Sequence, residues 1–343
     1  MDFSSLTKPV TRDEIRAFKR QSRANGVAWI TVQALFGIFS GGIIAFVVVI
    51  MCVSLVMNFR ESDHIGVTSV VPIVIIAVFA AIAFTTYRST FGRNVWRTRV
   101  RLSRFAADNG LVYSAQSGDP AYPGAIFGIG TDRTVTNHVR SVKGRYFDIG
   151  SYGYVTGSGK SRQNHNWGFM ALALDRSLPH MVLDSKANNR LFGTNLPAAF
   201  SKDQVLSLEG DFDRYFTLYC PREYERDALY VFTPDLMALL IDEAAPYDVE
   251  IVDKWMFVYS SRPFTSVALD DYQRMGRIIE TVGAKTLSQT DYYADDRVGD
   301  RSANIIAPQG RRLKRGIPVV AIVACVIVAT IWIVPQIAQI FEN

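Results

Sequence analysis

WGFMALALDRSLPHMVLD, Trp167–Asp184, holds two apolar runs, Trp167–Asp175 and His180–Asp184, separated by polar residues and Pro179. Short runs bounded by turn formers read as β-strands, because successive strand side chains point to opposite faces and a sheet buries at least one of them. Upstream, Arg133–Arg140 and Tyr146–Thr156 have the same character. Downstream, residues 215–219 and 229–233 read as a strand pair flanking Pro221–Asp227, and Val249–Val252 with Trp255–Tyr259 as a hairpin turning at Asp253-Lys254. Helices are fewer. Thr233 suits an N-cap with Pro234 at the first helical position, opening a helix over Asp235–Glu243 that Pro246 closes. A second helix is expected from Asp270 to Val282, with Tyr272, Met275, Ile278, Ile279 and Val282 as its apolar face. Residues 109–289 are therefore expected to form an α+β domain with a mainly antiparallel sheet, large enough to bury its own core.

Three apolar segments outside this domain read as transmembrane helices: 26–58, 67–87 after a short external loop at 59–66, and 316–341. Each exceeds the roughly 20 apolar residues that cross a hydrocarbon core of about 30 Å. Stretches such as Ile43–Ile50 and Ile73–Phe84 are apolar on every helical face, unlike a surface helix with a polar stripe. The polar 1–25 segment is too long and the first apolar core too extended for a cleaved signal peptide, so a retained anchor is expected.

Basic residues lie on one side of each segment. Lys8, Arg12, Arg16, Lys19, Arg20 and Arg23 precede the first, Arg88, Arg93, Arg97, Arg99, Arg101 and Arg104 follow the second, and Arg311, Arg312, Lys314 and Arg315 precede the third. By the positive-inside rule this implies a multi-pass protein of a bacterial plasma (inner) membrane, with its N-terminus and main domain cytoplasmic and its C-terminus external. The chain carries 37 Lys and Arg against 32 Asp and Glu, a net +5, but residues 105–310 hold 20 basic against 26 acidic side chains. The domain is thus acidic within a basic border, which argues against nucleic acid as a partner, since phosphate binding wants basic groups on the folded domain. The ten arginines and lysines of 88–104 and 311–315 are expected instead to contact a bilayer with anionic inner-leaflet lipids.

Thr11-Arg12-Asp13-Glu14 has the form of a capping box and predicts a helix over 12–24. Gly37 and Gly41 in the first span, with Ala77 and Ala81 in the second, are small residues at the spacing that lets helices approach closely, within one hairpin or in a homo-oligomer. A basic helix over 88–108 should stop at Asn109-Gly110, and residues 290–315, polar and without a sustained period, read as a tether.

Chemical motifs are sparse. Gly157-Ser158-Gly159-Lys160-Ser161 carries the GKS ending of a phosphate loop, but Tyr154 stands where the first glycine belongs and a strand follows, so a hairpin loop is expected. His138, His165 and His180 are dispersed with no metal-ligand spacing, and Asp211, Asp213, Asp242 and Glu243 form no recognisable acid–base pair. Cys220 is the domain's one cysteine, so no disulfide framework exists there. Neither a G-x-S-x-G elbow nor an HExxH helix is present. No catalytic, cofactor or metal residue is assigned.

Phe212–Asp242, FDRYFTLYCPREYERDALYVFTPDLMALLID, resembles the core of an uncharacterised, domain-of-unknown-function family of bacterial membrane proteins, through Phe212, Phe216, Tyr219, Tyr230, Thr233, Pro234, Met237 and Leu240. The resemblance implies a bacterial inner-membrane protein and transfers no activity. The leading expectation is a membrane-tethered cytoplasmic binding or scaffold protein that uses its sheet or helix faces to engage a protein or lipid. The alternatives are an inner-leaflet enzyme whose site is not a linear motif, and a small subunit of a membrane complex.

Overall fold

The computed structural model of the chain describes residues 1–24, 42, 46–53, 57, 74–81, 93–189, 194–264, 269–316 and 329–330. It divides into two units, Thr7–Arg101 and Met1–Leu6 with Leu102–Asn343. In the smaller unit, helix α1 (Arg12–Ala24) opens on the expected capping box: the Thr11 amide donates to Glu14 Oε2 at 2.8 Å, and the Glu14 amide donates back to Thr11 Oγ1 at 3.3 Å. Ile15 packs with Trp96 and Val100, the last two carried by helix α2 (Arg93–Asp108). That helix ends at Asn109-Gly110 as expected, with Gly110 left-handed at φ +66°.

The larger unit is built on one seven-stranded antiparallel sheet: β1 (Leu111–Ser117), β2 (Thr131–Ser141), β3 (Phe147–Thr156), β4 (Gln163–Ser185), β5 (Val205–Leu206), β6 (Phe216–Tyr219) and β7 (Asp248–Ser260). β4 is its axis. β3 pairs with its first half and β6 with its last residues along one edge, while β7 runs along the other, since Leu172 faces both Phe147 and Met256.

Period-two alternation gives the sheet two buried faces. On the first, Ile149, Met170, Leu172, Leu183, Ile251 and Val258 pack against four helices: α3 (Glu225–Val231), α4 (Pro234–Leu239), α5 (Leu269–Ile278) and α6 (Ala284–Thr290). Wider π-type turns at Leu240–Ala244 and Ile279–Gly283 extend α4 and link α5 to α6. The second face is aromatic, with Tyr152, Trp167, Phe169, Phe257 and Tyr259, and irregular segments cover it through Ile126, Phe127, Leu196, Phe200 and Leu313. Trp255, Phe257 and Tyr259 stack in a ladder along β7, with centroids 6.0 and 5.8 Å apart. Gly124 lets the cover close, because a Cβ there would lie 2.1 Å from the Tyr259 hydroxyl.

The fold expectation needs one large correction. Among the described residues no helix is long and apolar enough to cross a membrane, so neither the three transmembrane helices nor the multi-pass inner-membrane placement drawn from them stands. Most of 26–58, 67–87 and 316–341 lies outside the described residues. The chain's fold is that of an α+β protein with a large antiparallel sheet.

Local differences have local causes. The strand expected at 229–233 is the end of α3, whose Ala228 and Val231 are buried one turn apart. Trp167–Asp175 and His180–Asp184 belong to one strand, and the hairpin expected at Asp253-Lys254 is instead a continuous β7 with Asp253 left-handed at φ +53°. Both apparent turns are two sides of one bulge, where Ala173 pairs with Trp255 and Leu178 with Asp253. Residues 290–315, read as a tether, pack on the sheet: Tyr293, Asp295, Ile306, Ala307 and Leu313 are all buried. Gly157–Arg162 is the expected hairpin loop between β3 and β4.

Candidate functional site

Acidic and imidazole groups are set among the aromatics of the second face. Phe147, Ile149, Val139, Met181, Leu183, Val249 and Ile251 belong to the first cluster, so by alternation Asp148, His138, His180, Asp184, Asp248 and Glu250 point the other way. Each of the six is less than a tenth exposed. Burying such groups is costly unless they are hydrogen-bonded, so their partners decide what they do.

Glu250 is saturated. Its Oε1 accepts from His180 Nε2 at 2.7 Å, and its Oε2 accepts from the Tyr259 hydroxyl at 2.6 Å and the Ala125 amide at 2.7 Å. His180 Nδ1 accepts the Leu313 amide at 3.0 Å, which fixes the neutral Nε2–H tautomer. This network clamps the covering segments at Ala125 and Leu313 onto the sheet.

Asp248 accepts from the Ser185 amide at 2.8 Å and Asn188 Nδ2 at 2.6 Å. Burial, and then the charge of Asp184, push its carboxyl up to about 7. Asp184 is itself raised by burial, and its Oδ1 has no hydrogen-bond partner. With an unfolded value near 3.9, Asp248 binds its proton more tightly in the folded chain. Its contribution is therefore full below about pH 4 and lost as pH rises through about 7, an effect of at most about 4 kcal/mol. Asp248→Asn should flatten that fall between about pH 4 and about pH 7 in urea melts; an unchanged pH slope would refute the assignment.

A third constellation joins three strands. Ser117 Oγ, at the end of β1, lies 2.7 Å from His138 Nε2, and His138 Nδ1 lies 3.0 Å from Asp148 Oδ1. The Tyr122 hydroxyl donates to Asp148 Oδ2 at 3.1 Å and lies 2.9 Å from the Tyr146 hydroxyl. Burial, and then the charge of Asp148, raise the Tyr122 phenol far above its usual range, so it remains a donor. A bulge between Thr136 and Val139, with Asn137 left-handed at φ +50°, aims His138. Gly150 makes room for it, since a Cβ there would stand 2.5 Å from His138 Cβ.

Two open grooves lie among the described residues. One, of roughly 710 Å³, follows the β4–β7 bulge and is lined by Lys254, Trp255, Ile305, Arg311 and Arg312. The other, of roughly 530 Å³, is lined by Arg226, Asp227, Tyr230, Tyr292, Tyr293 and Arg297. Tyr292 is 88% exposed, and Tyr230, which lines the same groove, is 44% exposed. The floor is fixed: Arg297 pairs with Asp227 at 2.9 Å and Asp295 at 3.2 Å, and Tyr293 donates to Asp227 at 2.7 Å.

The residues singled out from sequence are dispersed. Arg93, Arg97, Arg99, Arg101 and Arg104 lie on α2, where the Arg99 guanidinium stands 4.9 Å over the Trp96 ring, and Arg88 lies outside the described residues. Arg312 forks onto Asp253 with two 2.9 Å bonds, and Arg311 Nε donates to the Ile306 carbonyl. Lys314 and Arg315 join the 199–204 segment through their backbones. Gly37 and Gly41 lie outside the described residues, while Ala77 and Ala81 are exposed one turn apart. Asp213 accepts from the Leu208 amide and Glu243 from Arg277, which are loop and surface contacts. Burial pushes the Cys220 thiol far up, which suits packing rather than nucleophilic chemistry. Ser117, His138 and Asp148 share no linear spacing; their one sequence signal is polar residues at core-facing strand positions.

No family model matches the chain, and no curated protein matches it. Among solved structures it is similar to the mycobacterial trehalose monomycolate transport factor A, TtfA, at 15% identity and a TM-score of 0.38, over 58% of this chain and 95% of that one. That likeness is too loose to transfer a role.

Proposed function

We propose that the larger unit is a protein-binding module whose contact surface is the groove at Tyr230 and Tyr292. The observation that carries this reading is Tyr292, a large aromatic left 88% exposed at the rim of an otherwise braced groove. Single exposed apolar residues are ordinary, but Tyr230 and Tyr292 line one groove with Arg226, and tyrosine and arginine are among the residues that dominate interface energetics. The two cores beneath are filled by side chains, so the groove offers a rigid surface that a partner meets at low ordering cost.

A photo-crosslinking phenylalanine analogue at position 292 tests this in cells producing the full chain. A discrete crosslinked species is expected, and Tyr230→Asp, which puts a charge in the groove lining, should abolish it. The same analogue at Val142, 61% exposed on the β2–β3 turn, should give none. Equal yields at both positions, or none at 292, would sink the reading.

A further inference from the structure

We propose that Ser117, His138 and Asp148 form an acyl-transfer site, with Ser117 as nucleophile toward activated carboxylic esters. This activity is separate from binding at the Tyr292 groove.

The roles follow from the hydrogen bonds. Asp148 Oδ2 already accepts from Tyr122, so the carboxylate acts as an acceptor toward His138 Nδ1, which must then carry the ring proton. That leaves Nε2 with its lone pair directed at the Ser117 hydroxyl 2.7 Å away. A hydroxyl donating to an imidazole whose far nitrogen is oriented by a carboxylate is the arrangement that activates serine, and it is recognised by geometry rather than by fold or chain order.

His180 supplies an internal contrast. Its nitrogens are spent on a carboxylate and on a backbone amide, so no nucleophile faces it and the group is a clamp. At His138 the corresponding partner is a side-chain hydroxyl, and it is placed where chemistry can reach it. Ser117 is half-buried at the last position of β1, followed by the exposed Gly118 and Asp119, whereas His138 and Asp148 behind it are 2% and 1% exposed. Both the bulge at Asn137 and the absent side chain at Gly150 serve to place this imidazole.

In the reaction, Ser117 Oγ attacks the ester carbonyl carbon while His138 Nε2 takes the hydroxyl proton. The C–O bond to the leaving group breaks, and that alcohol departs with the proton from His138. Water, deprotonated by the same nitrogen, then attacks the acyl-serine, releasing the carboxylic acid and restoring the Ser117 hydroxyl. Asp148 and Tyr122 are positioning residues.

A fluorophosphonate probe tests the site, since Ser117 Oγ would displace fluoride from phosphorus and become covalently tagged. The full-length protein should be labelled on the peptide containing Ser117, and Ser117→Ala should abolish it. His138→Gln should slow labelling roughly a hundredfold. Tyr122→Phe keeps the ring and removes its hydrogen bonds to Asp148 and Tyr146; it should slow labelling severalfold and shift its pH profile, which loss of packing alone would not do. Hydrolysis of p-nitrophenyl acetate should follow the same order, with an acyl adduct on Ser117 detectable by mass. An unlabelled Ser117 in the folded wild-type chain, or labelling at the wild-type rate in His138→Gln, would overturn the proposal.

Discussion

Glu250→Ala should destabilise the larger unit by about 3–5 kcal/mol, the cost typical of breaking a buried charged network by removing one partner. Three donors converge on that carboxylate, from His180, Tyr259 and Ala125, and none has another acceptor within its bonds as described. Removal leaves all three in a region from which solvent is excluded, where an unmet donor costs about 1–3 kcal/mol. Glu250→Gln is the informative companion. Its amide oxygen can still serve Tyr259 and Ala125, but its NH2 then meets His180 Nε2–H. The imidazole cannot relieve the clash by changing tautomer, because Nδ1–H would then oppose the Leu313 amide. Gln should therefore cost less than Ala, yet speed hydrogen exchange at the Leu313 amide. Equal urea midpoints for wild type and Glu250→Ala would refute this account of the clamp.

The same clamp shows why some of this fold was legible and some was not. Period-two runs at Arg133–Arg140, Tyr146–Thr156 and Trp255–Tyr259 identify strands because burial on a sheet face is a local pattern. The helix at Pro234 is legible for an equally local reason, its proline-first opening. What failed were the break expected between Trp167–Asp175 and His180–Asp184 and the turn expected at Asp253-Lys254, whose polar residues look like solvated loop. They are satisfied by remote chain: Asp175 pairs with Arg145 and its carbonyl accepts from Asn304, the Ser177 amide donates to Asn304, and Asp253 forks with Arg312. A polar residue bonded by a partner 30 or more positions away looks, in sequence, like one bonded to water.

That stitching also bears on the candidate sites. Residues 290–315 resemble a linker because their apolar positions have no period, yet Tyr293, Ile306 and Leu313 anchor them at three separate places. The segment supplies one wall of each groove and closes the Glu250 network. Ser117, His138 and Asp148 were invisible for a related reason: three adjacent strands bring them together, and nothing in their order along the chain records the register.

Asp295→Ala should be the other severe substitution, again about 3–5 kcal/mol, and it should act on binding as well as stability. The Asp295 side chain is fully buried and accepts from the Tyr224 hydroxyl at 2.5 Å, the Ala307 amide at 2.9 Å, and Arg297 through its amide at 3.0 Å and Nη1 at 3.2 Å. Burial alone would raise its carboxyl, but the Ala307 amide, the Tyr224 hydroxyl and Arg297 outweigh it and hold it below the usual range. A depressed carboxylate stabilises the fold above its unfolded value of about 3.9, and that contribution is lost as pH falls. Wild type should therefore lose stability below about pH 4 more steeply than Asp295→Ala. The Arg297 guanidinium stands 3.9 Å over the Tyr224 ring and also bonds Asp227 and the Glu223 carbonyl, so losing Asp295 removes one of the supports that hold it in the groove floor. Crosslinking from position 292 should weaken in Asp295→Ala even at temperatures where the sheet remains folded. Retention of full crosslinking there would show that the exposed rim binds without the braced floor, and the groove's rigidity would lose its role.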